Sequence, residues 1–162
     1  MRVRKSFNRD VDAMIEIWNE IVEGEDAFPE KEVLDAARGD EFFAEQTYCG
    51  IAVDWGGNVH GMYIFHPDKK EGDEKTALAY LAVKKLSREQ KTGNDLFTDL
   101  IKVTKEKGFN TLRFDAAPGI TDSARHLLEK LGFENLGIIK DGFEKRDGGF
   151  CDIERFSLNL TD

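Results

Sequence analysis

The residues best placed to do chemistry lie between Thr76 and Lys107. A run Thr76-Ala-Leu-Ala-Tyr-Leu-Ala-Val83 leads into a polar loop with Arg88, Lys91 and Gly93, and a second run follows from Asn94 to Lys107. The first run is short, apolar and free of Gly and Pro, which suits a buried strand. In the second, Leu96, Phe97, Leu100, Ile101 and Thr104 fall on one helical face, and Gly108 marks the stop. The first amides of such a helix have no partner within it, and its dipole favours an anion at that end. A strand, a polar loop and a helix N-terminus in this order predict a cradle for a pyrophosphate.

Other reactive side chains are sparse. Cys49 and Cys151 are too few for a disulfide framework and lack metal-ligand spacing, so a reducing cytoplasm is the expected compartment. His126 is expected on the surface of a short helix, and His60 and His66 on the solvent side of a strand. No two of these histidines have metal-ligand spacing with a supporting third ligand, and no metal is predicted. Cys151 stands beside Asp152 without a recognisable histidine partner, so no nucleophile is assigned.

The elements that must hold the loop can be read in order. Val3 to Phe7 reads as a strand, and Asp10 as the N-cap of a helix with Val11, Met14, Ile15, Trp18, Ile21 and Val22 on one face. A turn-rich connector, Glu23 to Pro29, precedes a helical region from Glu30 to Gln46 that is interrupted near Gly39. Tyr48 to Asp54 and Val59 to His66 form strands joined at Trp55-Gly-Gly-Asn58, a hairpin signal. After Gly108, Thr111 to Asp115 alternates as a strand, and Pro118-Gly119 turns the chain. A helix capped by Thr121 or Asp122 runs through Leu131, and Glu134 to Ile139 and Cys151 to Leu160 close the fold as strands. The order β-α-α-β-β-β-α-β-α-β-β predicts a mixed α/β or α+β architecture in one domain, residues 1–162.

Composition narrows the function classes. At 162 residues, 40% hydrophobic and 34% charged, the chain has the make-up of a soluble globular domain with one sizeable core. No apolar run approaches the roughly 20 residues that span a bilayer, and no membrane partner is expected. A net charge of −9 argues against nucleic acid, whose phosphates need a basic face, and is compatible with a cationic substrate such as an amine.

The segment from Thr76 to Lys107 resembles the acetyl-CoA-binding core of the GNAT (GCN5-related) N-acetyltransferases. Their loop signature, Arg/Gln-x-x-Gly-x-Gly/Ala, is matched by Arg88-Glu-Gln-Lys91-Thr-Gly93, with Lys91 in place of the first Gly. A second likeness is the short helix, often Asn-x-x-Ala-x-x-Leu-Tyr-x-x-x-Gly-Phe, which here has Thr121, Ala124, Leu127, Leu128, Gly132 and Phe133 at the same spacing. A third is Ile17 to Val22 with Ala27-Phe-Pro29, similar to the first helix and following loop of proline-analogue acetyltransferases. The resemblance spans residues 3 to 160. It implies the acyl-CoA N-acyltransferase fold, a central mixed, mostly antiparallel sheet flanked by helices, and acetyl-CoA as co-substrate.

By that resemblance, main-chain groups of Leu81, Ala82 and Val83 hydrogen-bond the pantetheine arm. Amides from Arg88 through Lys91, Thr92 and Gly93 to Asn94 hold the pyrophosphate, and Thr121 contacts the cofactor or caps its own helix. The family's usual acid, a Tyr, is replaced by Leu128. Two groups are candidates for the remaining chemistry: Asp115 as base or ammonium anchor, or else a solvated strand-end carboxylate, and Tyr80 as a substitute phenol, or else a packing residue. Phe28 walls the acceptor pocket or plugs two helices together. The implied reaction is transfer of acetyl to a small-molecule amine, amino acids among the acceptors. The alternative is a degenerate protein of this fold that senses CoA or binds other proteins. Homodimers are common in such folds, and the sequence locates no interface.

Overall fold

The structure, a computed structural model, describes all residues except 25–29, 31, 70–71, 88–90, 118–119, 146 and 162. Seven strands form one sheet: β1 (Arg2–Lys5), β2 (Tyr48–Val53), β3 (Val59–Asp68), β4 (Asp73–Val83), β5 (Thr111–Ala116), β6 (Glu134–Glu144) and β7 (Phe150–Asn159). They lie in the order β1-β2-β3-β4-β5-β7-β6. Every pairing is antiparallel except β4 with β5, which are joined by a helical crossover as parallel neighbours must be. The mixed, mostly antiparallel sheet flanked by helices is the architecture expected from the sequence.

Among the described residues four helices cover the two faces: α1 (Val11–Gly24), α2 (Ala36–Ala44), α3 (Thr92–Glu106) and α4 (Asp122–Lys130). Strand alternation sorts the core into two halves. Ala77, Ala79 and Leu81 of β4 pack with Leu96, Phe97 and Leu100 of α3, Leu112 and Phe114 of β5, and Leu128 of α4. Ala82, Met62, Ile64 and Ile51 turn the other way, onto Met14, Ile17, Trp18 and Ile21 of α1 and Phe43 of α2.

Local departures from the sequence reading have physical causes. Gly39 does not interrupt a helix but lies inside α2, because its bare backbone lets Ile15 of α1 approach: a Cβ there would stand 2.3 Å from Ile15 Cδ1. Asp10 does not cap α1 directly. Its carboxylate accepts from the Phe7 amide at 2.7 Å and from the Arg4 guanidinium at 2.9 and 3.2 Å, locking a 3-10 turn, Asn8–Asp10, between β1 and α1. The last hairpin is longer than its apolar residues suggest, because its outer positions are exposed and need no apolar pattern.

The seat of α3 depends on a second glycine. A Cβ on Gly61 of β3 would stand 2.8 Å from Leu96 Cδ1 and 3.0 Å from the Ala82 carbonyl oxygen. Gly61→Val is therefore expected to lose about 1–3 kcal/mol by overpacking. Urea denaturation reads this directly, and an unchanged midpoint would show that α3 does not rest on this contact.

Candidate functional site

The parallel pair opens into a gap. β4 pairs with β5 only from Thr76↔Thr111 to Ala79↔Phe114, yet β4 continues to Val83 and β5 to Ala116. The Lys84 amide donates to the His60 carbonyl at 2.8 Å, which fixes the phase of the β3–β4 ladder. Main-chain groups alternate sides along an antiparallel strand, so Tyr80 and Ala82 turn theirs to β3 while Leu81 and Val83 turn theirs toward the gap. An extended ligand entering there meets peptide groups at strand spacing.

At the mouth of the gap stands the N-terminus of α3. Arg88 lies outside the described residues. Lys91 precedes the helix, and its carbonyl accepts from the Asp95 amide at 3.1 Å, the first bond of the ladder. The amides of Thr92, Gly93 and Asn94 are thus the helix's leading donors. Thr92 is buried, its hydroxyl 3.4 Å from Met1 Sδ, whereas Asn94 is exposed. Beside Gly93 there is room: among the described residues a Cβ would meet only Val83 Cγ2, at 4.0 Å.

The turn leading into this loop is tied down by a chain of side chains. Ser87 Oγ lies 2.6 Å from His60 Nδ1, and His60 Nε2 lies 2.8 Å from Asp54 Oδ2. The His60 hydrogen bond, helped by Asn58 and the Gly56 amide, holds the Asp54 carboxyl well below the usual carboxylate range. His60, partly exposed, links the β2–β3 turn to the turn before α3. Periodicity could not show this, because the partners are 6 and 27 residues away.

On the α1/α2 face a charged cluster reaches the gap at Asp115. Asp115 Oδ1 accepts from Arg155 Nε at 2.9 Å and its Oδ2 from Arg155 Nη2 at 3.2 Å, and Arg113 Nη2 lies 3.5 Å from the same Oδ2. The Arg113 guanidinium also donates to Asp68, which is almost wholly buried. Tyr80 stands on the same face, its ring 5.8 Å from Trp18 and 5.9 Å from His66. Burial pushes its phenol up to about 12, and the charges of Glu30 and Asp115 add to the effect. The fold thus brings Tyr80 and Asp115 to one face, on strands that part between them.

His66, expected on the solvent side, is half-buried on this same face. Its Nδ1 lies 2.8 Å from Gln46 Oε1, and burial, with Lys69 nearby, lowers its pKa from the ordinary histidine value. Arg113, Asp68 and Arg155 were not among the residues expected at the site from sequence. The only local signal was a charged residue at an inward position of a strand, Arg113, which implies a buried partner.

Two residues of the short-helix motif have structural partners of their own. Thr121 caps α4, its hydroxyl accepting from the Ala124 amide at 3.1 Å. Leu128 is fully buried in the core around Phe97 and Phe133. Phe28 lies outside the described residues. Burial pushes the Cys49 thiol up to about 12, which leaves it inert. Among the described residues no group of three or more His, Cys, Asp or Glu could hold a metal, and no helix is long and apolar enough to cross a membrane.

The architecture has close structural counterparts. A ribosomal-protein-alanine N-acetyltransferase from Brucella melitensis superposes with a TM-score of 0.88 at 21% identity, covering 98% of this chain and 99% of that one. A phosphinothricin acetyltransferase from Sinorhizobium meliloti in complex with acetyl-CoA gives 0.86 at 21% identity, over 98% and 87% of the two chains. The protein yncA of Salmonella typhimurium with its cofactor acetyl-CoA gives 0.86 at 20% identity, over 100% and 95%. No curated protein matches by sequence. The sequence profile of the Acetyltransferase (GNAT) family matches residues 11–133, most of the chain, and with the parted β4–β5 pair and the helix at its mouth it shows that this protein belongs to the GNAT acetyltransferase family.

Proposed function

We propose that the protein is an acetyl-CoA-dependent N-acetyltransferase acting on the amine of a small molecule, with amino acids the favoured class. One observation carries the reading: the β4–β5 gap has main-chain groups of Leu81 and Val83 and the leading amides of α3 on one side, and a face of opposite charges on the other. The first three amides of α3 suit a pyrophosphate, and among the described residues the space at Gly93 is open, which supports the co-substrate at this site. Two structural relatives hold acetyl-CoA, which supports the same ligand here. The relatives' names divide between a ribosomal-protein alanine and phosphinothricin as acceptors. The charged face favours a small zwitterion, whose ammonium and carboxylate need partners of both signs.

In the reaction the amine nitrogen attacks the thioester carbon, the carbon–sulfur bond breaks, and the amide forms. The amine loses a proton and the departing thiolate gains one. Leu81 and Val83 orient the acyl arm, and the α3 amides anchor it, lowering the entropic cost of attack. Tyr80 keeps its proton at neutral pH and is the donor for the thiolate, in place of the missing phenol at Leu128. Both oxygens of Asp115 are engaged by guanidinium groups, which suits it to hold charge in the acceptor site. The proton acceptor is His66: a bond to Gln46 Oε1 places its proton on Nδ1, and among the described residues no hydrogen bond occupies the Nε2 lone pair.

This assignment has a pH signature. Protonation of Nε2 removes the base, so kcat/KM is expected to fall on the acid side through one ionisation below the ordinary histidine value. In His66→Gln that limb should vanish and kcat should drop by about 100-fold. An unchanged limb would remove His66 from the mechanism. The same burial affects stability. The unfolded chain takes up the His66 proton near 6.5, before the folded chain does, so this contribution is full above that pH and lost as pH falls.

Calorimetric titration with acetyl-CoA tests the reading as a whole. Micromolar affinity, about −8 kcal/mol, followed by thiol release with a panel of amines and amino acids, is the expected result. Binding without turnover on any amine would favour a CoA sensor, the reading suggested by the buried Leu128. No binding would favour an interaction domain.

A further inference from the structure

The chain carries a net charge of −9, yet four of its basic residues, Arg2, Arg4, Lys5 and Arg9, fall within the first nine positions with no acidic residue among them. Val3 packs into the α3-side core, so strand alternation turns Arg2 and Arg4 to the opposite face of the edge strand β1. There they join Arg9, from the 3-10 turn, and Trp55, from the tip of the β2–β3 hairpin, around an open cavity of about 490 Å³.

The charges in this cavity are unevenly balanced. Arg4 is neutralised by Asp10 at 2.9 Å, and Asp54, the other acid on the wall, is bound to His60 at 2.8 Å. Among the described residues neither Arg2 nor Arg9 has a carboxylate within ion-pair distance; Asp10 feels the Arg9 charge but is held by Arg4. The Arg9 guanidinium lies 5.0 Å from the centre of the Phe7 ring, with Arg4 at 5.2 Å, so the aromatic ring fixes guanidinium positions without neutralising them. Trp55 is 95% exposed, which leaves one of the two largest apolar faces in the sequence in water. A planar ring on that indole would cover it, and an anion between Arg2 and Arg9 would compensate both charges.

We propose that this cavity binds a nucleotide-like phosphate ester, with the phosphate between the Arg2 and Arg9 guanidinium groups and the base stacked on Trp55. The volume is within the range of small-molecule sites. The site is distinct from the α3 cradle. A second cavity, lined by Met1, Asp54, Lys91, Thr92 and Asp95, lies toward the start of α3 and among the described residues shares only Asp54 with it. The ligand is a free nucleotide or the nucleotide end of a CoA molecule, and the chemistry on the protein side is the same for both.

Intrinsic fluorescence tests the proposal, because Trp18 is 1% exposed and Trp55 is the solvent-facing reporter of the pair. Titration with AMP should quench the emission saturably at micromolar to millimolar concentrations, and Trp55→Phe should abolish the change. Adenosine alone and inorganic phosphate alone should each bind more weakly than AMP. Arg2→Ala and Arg9→Ala, both at exposed positions, should each weaken AMP by about tenfold while the far-UV circular dichroism stays unchanged. Raised salt should weaken it further. If CoA quenches Trp55 and displaces AMP in competition, the nucleotide end of CoA is the natural ligand; if AMP binds equally well beside saturating CoA, a free nucleotide is. No quenching at millimolar AMP, or affinity unchanged in both arginine variants, would overturn the site.

Discussion

Arg113→Met is expected to destabilise the protein by about 3–5 kcal/mol and to remove acetyl transfer, although the residue is not assigned to any bond-making step. The Arg113 side chain is 10% exposed, and its carboxylate partners, Asp68 and Asp115, are 2% and 12% exposed. Methionine fills a similar volume, so the loss does not come from a cavity. It comes from leaving Asp68 buried with its main cationic partner gone and Asp115 with Arg155 alone. Restoring charge balance distinguishes this from a packing defect. Asp68→Asn in the Arg113→Met background should recover part of the stability, whereas Asp68→Asn alone should be destabilising. Equal, additive losses in a urea-denaturation cycle would show that the two groups act independently. Activity should stay low in the double variant even where stability returns, because Asp115 would still lack one of the two guanidinium groups that hold it at the gap.

That cluster also marks where sequence reading stops. The element order was legible because apolar residues recur at periods of two and 3.6, as in Leu96, Phe97 and Leu100 of α3 and in Thr111 to Asp115 of β5. The succession of β4 and α3 was legible because each carries its own apolar period. The Asp68–Arg113 pair spans 45 residues and the Asp115–Arg155 pair 40, and each depends on which strands are neighbours and in what register. A one-residue slip of β7 against β5 would turn Arg155 to the α4 face. His66 shows the same limit. Its burial depends on Gln46 and Tyr80, brought to it by the β2–β3 and β3–β4 pairings, and nothing within a few residues announces either contact. Gly39 illustrates the converse error: a glycine read as a break is a contact point, because the helix that crosses it is distant in sequence.

Gly93→Asp is expected to lower acetyl-CoA affinity by on the order of 100-fold while leaving the fold intact. The φ angle at Gly93 is not in the left-handed region, and a Cβ meets only Val83 Cγ2 at 4.0 Å among the described residues, so a side chain is accommodated. Aspartate in the first turn of α3 is also favourable to the helix itself, since it complements the dipole and replaces a glycine. Chemical denaturation should therefore show equal or slightly higher stability. The cost appears only when a phosphate arrives: two unit charges about 5 Å apart at an effective dielectric of about 20 repel by about 3 kcal/mol. Gly93→Ala separates charge from bulk, and it should bind within a few-fold of the parent. Added salt should narrow the gap between the Asp and Ala variants, because part of the repulsion is exposed to solvent. If Gly93→Asp binds acetyl-CoA as tightly as the parent, the leading amides of α3 do not hold the pyrophosphate. If Gly93→Ala loses as much as Gly93→Asp, the space beside Gly93 is needed by the ligand itself, and the close approach of backbone to phosphate, not the charge, determines binding.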